Sequence, residues 1–399
     1  MINHLVILAD DLTGAADCAG AFASRWSTVI GVEGQAYFPA SVLSLNTESR
    51  HATSEQAATQ VRASINLILE NETFPNRVLF YKKIDSMLRG HPAIELAAMM
   101  DGLSISRALV CPAFPAQNRF TNRGLQWISA NNNRYAIPLD RIFNPALCGR
   151  PILNIPLERV RQGIRMLQQS WCSLRSGILI ADAETEDDLV TLAQAAQESR
   201  IRLLCGSAGL ARALASWITL KKSPENFPDN RQLAGPVLVV GGSQSAVFQK
   251  QVQVAQAAGI PLVKPDAVFL NSPQLDLEFW ASNLSTCLHS GQDVIFSTVG
   301  TATSPMGEEE TAARLASVTR AVLESTPIGG LILTGGDVAM AVCRALEANQ
   351  IRLSGEFQAG IPIGQLLNGR FPGLRVITKA GAFGEEDLLL RAIGYLRAY

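Results

Sequence analysis

The chain has 399 residues, 47% hydrophobic and 17% charged, with a net charge of −1. That length makes two domains the natural expectation, since single cores stop growing well before it. The apolar content argues against disorder, and the balanced charge argues against nucleic acid or an anionic membrane as the main partner.

In chain order, the first predicted strand is Leu5–Ala9, which ends on Asp10-Asp11-Leu12-Thr13-Gly14 with Asp17 close behind. Ligands of open α/β sheets bind at the carboxyl ends of strands, beside helix N-termini. Two adjacent acids there need a metal, a cation or a hydroxylated substrate, although Asp11 or Thr13 can also cap the helix that starts near Gly14. Strand Val42–Leu45 leads into Asn46-Thr47-Glu48-Ser49-Arg50, and a helix is predicted over Thr53–Glu70. Strand Val78–Tyr81 leads into Lys82-Lys83-Ile84-Asp85-Ser86-Met87-Leu88-Arg89-Gly90, a compact cationic cluster with its own carboxylate. Such a cluster suits an anionic substrate group. Strand Ala108–Cys111 ends in a proline-fixed turn from which Arg119 can reach the same site. The stretch Ala116–Pro151 reads as a long loop with little periodicity. Helix Leu157–Gln169, strand Gly177–Ala181, helix Glu186–Glu198 and strand Arg202–Cys205 complete the first half.

Residues 221–235 are polar, contain two prolines and read as a linker, so the expected domains are 1–225 and 226–399. The alternation then restarts with strands Pro236–Val240, Asp293–Thr298, Gly330–Thr334 and Leu374–Thr378. The helices between and after them are Ser245–Ala258, Glu308–Glu324, Val338–Glu347 and Glu385–Arg397. Glycine follows several of these strands, at Gly241-Gly242-Ser243, Thr334-Gly335-Gly336-Asp337 and Lys379-Ala380-Gly381. Glycine lets backbone approach a ligand and helix N-termini offer N–H groups to phosphate, so this half is expected to hold a nucleotide. The usual phosphate-loop and dinucleotide fingerprints are absent from the sequence.

The fold class expected is therefore α/β, with two domains that are each a mostly parallel sheet flanked by helices, and an active-site cleft between the domains. The seven cysteines lack metal or disulfide spacing and read as reduced core residues, so no protein metal site is expected. The short apolar start and the lack of a long apolar run suggest a cytoplasmic protein, and base rates suggest a homodimer.

The ordered blocks ADDLTGAAD (9–17), KKIDSMLRG (82–90), PAFPAQNR (112–119), GSAGLA (206–211), GGSQS (241–245), TGGD (334–337), GEFQAGIPIG (355–364) and TKAGAFG (378–384) together resemble the four-carbon acid sugar kinase family. The resemblance spans nearly the whole chain. It implies an N-terminal domain for the sugar acid and a C-terminal domain for ATP, with phosphorylation of the terminal hydroxyl of D-threonate, D-erythronate or a 3-oxo-tetronate. It assigns substrate contacts to Asp10, Asp11, Arg50, Lys82, Lys83, Ile84, Asp85, Ser86 and Arg89, with Asp11, Lys83 and Asp85 closest to the chemistry. It assigns ATP contacts to Ser243, Ser245, Thr334, Gly335, Gly336, Asp337, Lys379 and Gly381, with Mg²⁺ bridging the phosphates. Met87, His91, Asn118 and Gln244 depart from the family pattern, as does the region after Tyr135, which bears on which acid is used. The alternatives are a non-catalytic sensor of sugar acid or nucleotide and, with less support, an aspartate-dependent phosphatase, which the adjacent acids loosely resemble.

Overall fold

The computed structural model describes residues 2–33, 40–70, 77–130, 133–147, 149–222, 234–272, 275–301 and 307–398. The chain divides into two compact units, Met1–Glu225 and Asn226–Tyr399. Residues 223–233, most of the expected linker, lie outside the described residues.

The strands of the first unit's main sheet are β1 (His4–Ala9), β2 (Thr28–Gly31), β3 (Val42–Asn46), β4 (Val78–Lys83) and β5 (Arg107–Cys111), followed later in the chain by three more. Between them lies an antiparallel hairpin sheet of β6 (Arg119–Asn122), β7 (Leu125–Ala130) and β8 (Asn133–Pro138). The main sheet resumes with β9 (Ile152–Ile155), β10 (Gly177–Ala181) and β11 (Leu203–Gly206). Its order is β2-β3-β1-β4-β11-β5-β10-β9, with parallel pairing throughout. Strands such as Leu5-Val6-Ile7-Leu8-Ala9 are apolar without alternation because helices cover both faces.

The register aligns the strand ends. Ala9 stands opposite both Asn46 and Lys83, Lys83 opposite Gly206, and Gly206 opposite Cys111. The segments that follow β1, β3, β4 and β5 therefore leave the sheet along one edge. The chain runs from β1 outward to β2, returns through β3 and crosses to β4. Helix α1 (Leu12–Ala23) packs against Ala208–Trp217, whereas α2 (Ser54–Glu70) packs on α3 (Pro92–Gly102). The direction of winding thus reverses at β1, which is the position where such sheets form a ligand crevice.

Two expectations are corrected here. The stretch 116–151 is no loop: it folds into the hairpin sheet and the short helix Leu139–Phe143. Arg123 (φ 54°) and Gly124 (φ 69°) make a two-residue turn of the primed type that matches strand twist. The carboxylate of Asp182 accepts both of their N–H groups, at 2.7 and 3.0 Å, and Thr121 and Ala183 exchange backbone hydrogen bonds. The single helix expected over 157–169 is two, Leu157–Arg161 and Ile164–Cys172, split at Gly163, whose φ of 91° no helix interior adopts.

The second unit holds β12 (Val237–Gly241), β13 (Leu262–Val263), β14 (Val294–Ser297), β15 (Gly330–Thr334), β16 (Gln350–Gln358), β17 (Ile361–Leu366) and β18 (Arg375–Lys379), in the order β13-β14-β12-β15-β18-β17-β16. The first five are parallel, and β17 runs antiparallel to both its neighbours. Gly241 is level with Ser297 and Thr334, and Thr334 with Lys379. The GEFQAGIPIG block is the tight β16–β17 hairpin.

Cys18, Cys111, Cys205 and Cys343 are buried thiols, as expected, and burial pushes Cys111 and Cys205 up to about 12. Cys172 is exposed, which corrects its assignment to the core. Cys148 lies outside the described residues.

Candidate active site

The first cluster lies at the β1 crevice. Asp11 caps α1, accepting from Gly14 N at 2.9 Å. The same side chain is also gripped by Arg50. Arg50 Nε and Nη2 donate to the two oxygens of Asp10, both at 2.9 Å, while Nη1 and Nη2 donate to Asp11 at 2.6 and 2.9 Å. The cation that the two acids require is therefore supplied by the protein. Four of the five guanidinium N–H bonds are used in this way, so Arg50 retains one for any ligand.

The paired acids differ in proton affinity. Burial alone would push Asp10 up, but Arg50, Lys82 and Lys83 outweigh it and hold the carboxyl below its usual range. Asp11 is raised: burial outweighs the Arg50 charge that lowers it, and the neighbouring charge of Asp10 adds to the rise. Two carboxyls with affinities driven apart are the usual arrangement of an acid–base site.

Strand parity separates the two lysines of β4. Lys82 points the way of Val78 and Phe80, into the core that α2 and α3 cover. Its ammonium is fully buried and meets Glu95 Oε2 at 2.8 Å, Lys83 O at 3.0 Å and Leu8 O at 3.4 Å. All three of its protons are thus engaged. Ser49 holds the other oxygen of Glu95, and Thr47 Oγ1 lies 2.8 Å from Ser49 Oγ. Lys82 was expected with the ligand-facing cations, yet it is locked beneath them. Ile84 likewise packs in the core, and its N–H is given to Gly206 O at 2.9 Å.

Lys83 takes the opposite face, toward α1. A Cβ on Gly14 would stand 2.9 Å from Lys83 Nζ and collide with Asp11 Oδ1, so glycine there lets the ammonium and the carboxylate share one space. Lys83 is 5% exposed, and its ammonium has no hydrogen bond or ion pair among the described residues.

Asp85 organises the next turn. It accepts from Met87 N, Arg89 N, Arg89 Nε (2.8 Å) and Arg89 Nη2 (3.0 Å). Burial would raise Asp85, but Arg89, with help from Arg50 and Lys83, holds it well below the carboxylate range. Leu88 (φ 62°) and Gly90 (φ 78°) take left-handed conformations in this turn, as does Glu48 (φ 53°) in the facing one. A Cβ on Gly90 would come within 3.0 Å of Asp10 Oδ2. For leucine and glutamate such backbone costs on the order of 1 kcal/mol each and is typical of ligand loops.

The hairpin closes the cluster. Arg119 Nη1 donates to Ser86 Oγ, while Gln126 Nε2 donates to Ser86 O at 2.9 Å and to Pro112 O at 3.3 Å. Glu95 and Gln126 were not singled out from the sequence. Neither carries a local signal, since each matters only through a partner brought from another element.

The second cluster lies on the other unit's aligned strand ends. Ser245 caps Ala246–Ala257, accepting from Phe248 N at 3.2 Å, and donates to Gly381 O at 2.7 Å. Ser243 Oγ accepts from Ser245 N at 3.3 Å. A Cβ on Gly381 would collide with the Ser243 side chain, so the two turns interlock only because this residue is glycine. Gly335 (φ 100°) opens the helix Gly336–Ala345 and faces open space. Thr334 Oγ1 is buried without a partner among the described residues, and Asp337 is exposed at the helix start. Lys379 is buried over the Phe248 ring, with only a 3.5 Å contact to Gly381 O, and burial lowers its pKa to about 7. The site residues expected in this half are thus gathered along one edge. Among the described residues no group of three or more His, Cys, Asp or Glu is placed to hold a metal, and no helix is long and apolar enough to cross a membrane.

Comparisons with known proteins agree with this division. A family model for a sugar-binding N-terminal domain matches residues 5–141 and 145–214, and one for a nucleotide-binding C-terminal domain matches 238–389. The chain is 33% identical to the D-threonate kinase of Salmonella typhimurium over 98% of both proteins. It is 28% identical to the D-erythronate kinase of Heliobacterium modesticaldum, over 99% of this chain and 97% of the relative. A crystal structure of a Haemophilus influenzae protein superposes with a TM-score of 0.73 at 21% identity, covering 98% of this chain and 100% of that one. Such a structural likeness shows the fold, and the matched domains and relatives show the rest: the chain belongs to the four-carbon acid sugar kinase family.

Proposed function

We propose that the protein is an ATP-dependent kinase that phosphorylates the 4-hydroxyl of a four-carbon sugar acid, with D-threonate as the first candidate and D-erythronate or a 3-oxo-tetronate as its near alternatives. The observation that carries this reading is Lys83, a buried ammonium with no hydrogen bond or ion pair among the described residues, sharing its space with the raised carboxylate of Asp11.

Phosphoryl transfer needs little covalent help from the protein; it needs alignment and charge neutralisation. Asp11 accepts the proton of the attacking hydroxyl as the new O–P bond forms and the bond to the ADP leaving group breaks. Its elevated proton affinity suits a base working near neutral pH better than that of Asp85, which is depressed. Asp10 stays ionised and, through Arg50, fixes the orientation of Asp11. Lys83 offsets negative charge on the transferring group. Asp85 shapes the turn that presents Ser86 and Arg89. On the second unit, the Thr334–Asp337 turn, Ser243 and Gly381 offer backbone and hydroxyl groups to the phosphates, with Lys379 behind them.

Magnesium fits this donor set in the way it usually binds, through phosphate oxygens, waters and one or two carboxylates. Asp337, exposed and without a hydrogen bond or ion pair among the described residues, is the carboxylate available for it. The ion would supply charge neutralisation on the phosphates. A homodimer belongs to the same proposal, and sedimentation at micromolar concentration tests it.

The direct test is ADP release from Mg-ATP with D- and L-threonate, D- and L-erythronate and their 3-oxo forms. Strong turnover on one acid, abolished in Lys83→Met, is expected. No turnover on any of them would overturn the reading.

A further inference from the structure

Within that kinase reading, we propose that Arg119 is the specificity residue that clamps the substrate's carboxylate, so that the acid end lies against the hairpin and the hydroxyl to be phosphorylated lies at Asp11 and Lys83. The argument is a count of unspent donors. Arg50 has given four of its five N–H bonds to Asp10 and Asp11. Lys82 has given all three to Glu95 and two carbonyls. Arg89 has turned its Nε–Nη2 edge onto Asp85, and its side chain is 60% exposed. Arg50 keeps a single N–H and Arg89 its Nη1, but among the described residues Lys83 beside Asp11 and Arg119 beside Ser86 are the cations of this cluster that no carboxylate engages.

Arg119 Nη1 is anchored on Ser86 Oγ, while its Nε is buried and has no partner among the described residues. The open edge is Nε–Nη2, the same edge with which Arg50 grips Asp10 and Arg89 grips Asp85. A planar fork of this kind matches a carboxylate in two parallel hydrogen bonds. Ser86 Oγ accepts from Arg119, so its own proton is free to donate to the same carboxylate. A buried N–H with no acceptor is costly in a finished fold and is explained when a ligand supplies one. Burial also lowers the pKa of Arg119, the direction expected of a cation lacking its counter-ion.

The backbone holds the fork in place. Asn118, in a left-handed conformation (φ 54°), turns the chain into β6. Arg119 N and O both pair with Phe114, at 3.2 and 2.7 Å, and Asp182 tethers the far end of the hairpin.

The test compares the acid with its uncharged amide, D-threonate against D-threonamide (or the corresponding pair for whichever acid the wild type turns over), as a ratio of kcat/KM. In the wild type the ratio is expected to be about 100 or more, the scale of a lost charge-assisted bidentate contact. In Arg119→Ala it collapses toward one, with the KM for ATP unchanged, and added guanidinium ion restores part of it. A merely structural role would lower acid and amide together and leave the ratio intact, which overturns the proposal, as does a wild-type ratio near one. If Arg119→Ala fails to fold by circular dichroism, Arg119→Lys decides. It keeps the charge but loses the fork, and a ratio equal to wild type there sinks the clamp. A wild type that phosphorylates no acid rejects the kinase reading itself, whereas turnover with an unaltered ratio in the variants rejects only the role of Arg119.

Discussion

The two clusters are built by opposite means. The first unit uses side-chain charge: Asp10, Asp11, Arg50, Lys82, Glu95, Asp85 and Arg89 meet one another at 2.6 to 3.0 Å, mostly out of water. The second uses main chain and hydroxyls: Ser243, Ser245 and Gly381 interlock, and its buried cation, Lys379, is nearly idle. A small acid offers few atoms, so the site that binds it needs directional, charged groups already held in place. A polyphosphate offers many oxygens, and helix N-termini with close-approaching glycines satisfy them without side chains. The lesson is where fragility lies: buried charges are costly when a partner is lost, and glycine turns are intolerant of bulk.

The largest test of that contrast is Glu95→Leu. It strands the Lys82 ammonium and should cost about 3–5 kcal/mol, read by urea unfolding. Lys82→Met in the same chain should recover most of it, and a single variant as stable as wild type would break the account. Next is Asp11→Asn, expected to lower kcat about 10²- to 10⁴-fold with a smaller change in the KM for the acid. Because the base must be unprotonated and Asp11 is raised, wild-type kcat/KM should fall as pH drops, on a limb lying above the ordinary carboxylate range. A limb at the ordinary position would assign the base elsewhere. Gly381→Ala forces a methyl into Ser243 and should raise the KM for ATP about tenfold, the scale of a 1–3 kcal/mol overpacking cost, leaving the KM for the acid alone. The smallest effect concerns Lys379. Its charge is lost as pH rises through about 7, so ATP affinity should weaken a few-fold above that pH. Lys379→Met should flatten the profile, and an unchanged slope in the variant would remove Lys379 from the nucleotide site.

Much of the fold is legible in the sequence. Gly177–Ala181, Gly330–Thr334 and Glu186–Glu198 have the bounds that their apolar runs and the capping Thr185 dictate. The gathering of polar strand ends is legible too, because parallel register makes consecutive strand ends neighbours. Which charges are free is not. Lys82 and Lys83 are adjacent and chemically identical in sequence; only the pleat sends one to Glu95 and the other to Asp11. The hairpin sheet was obscured because its strands are short and polar, with just Thr121, Gln126 and Ile128 fully buried among the described residues. The break at Gly163 lies within an otherwise continuous helical pattern, and glycine alone does not announce a left-handed turn.

The hairpin has a consequence of another kind. Asp182 fastens its tip by two backbone N–H groups, and Thr121 and Ala183 fasten its first strand by backbone alone. None of these ties depends on which side chains the tip carries. Phe120, Trp127 and Arg134 stack on its outward side, apart from the Ser86 contact. The hairpin is therefore built as an exchangeable cassette: on the reading proposed above, substitutions at its tip would reshape the space offered to the acid and leave the charge lattice beneath it untouched.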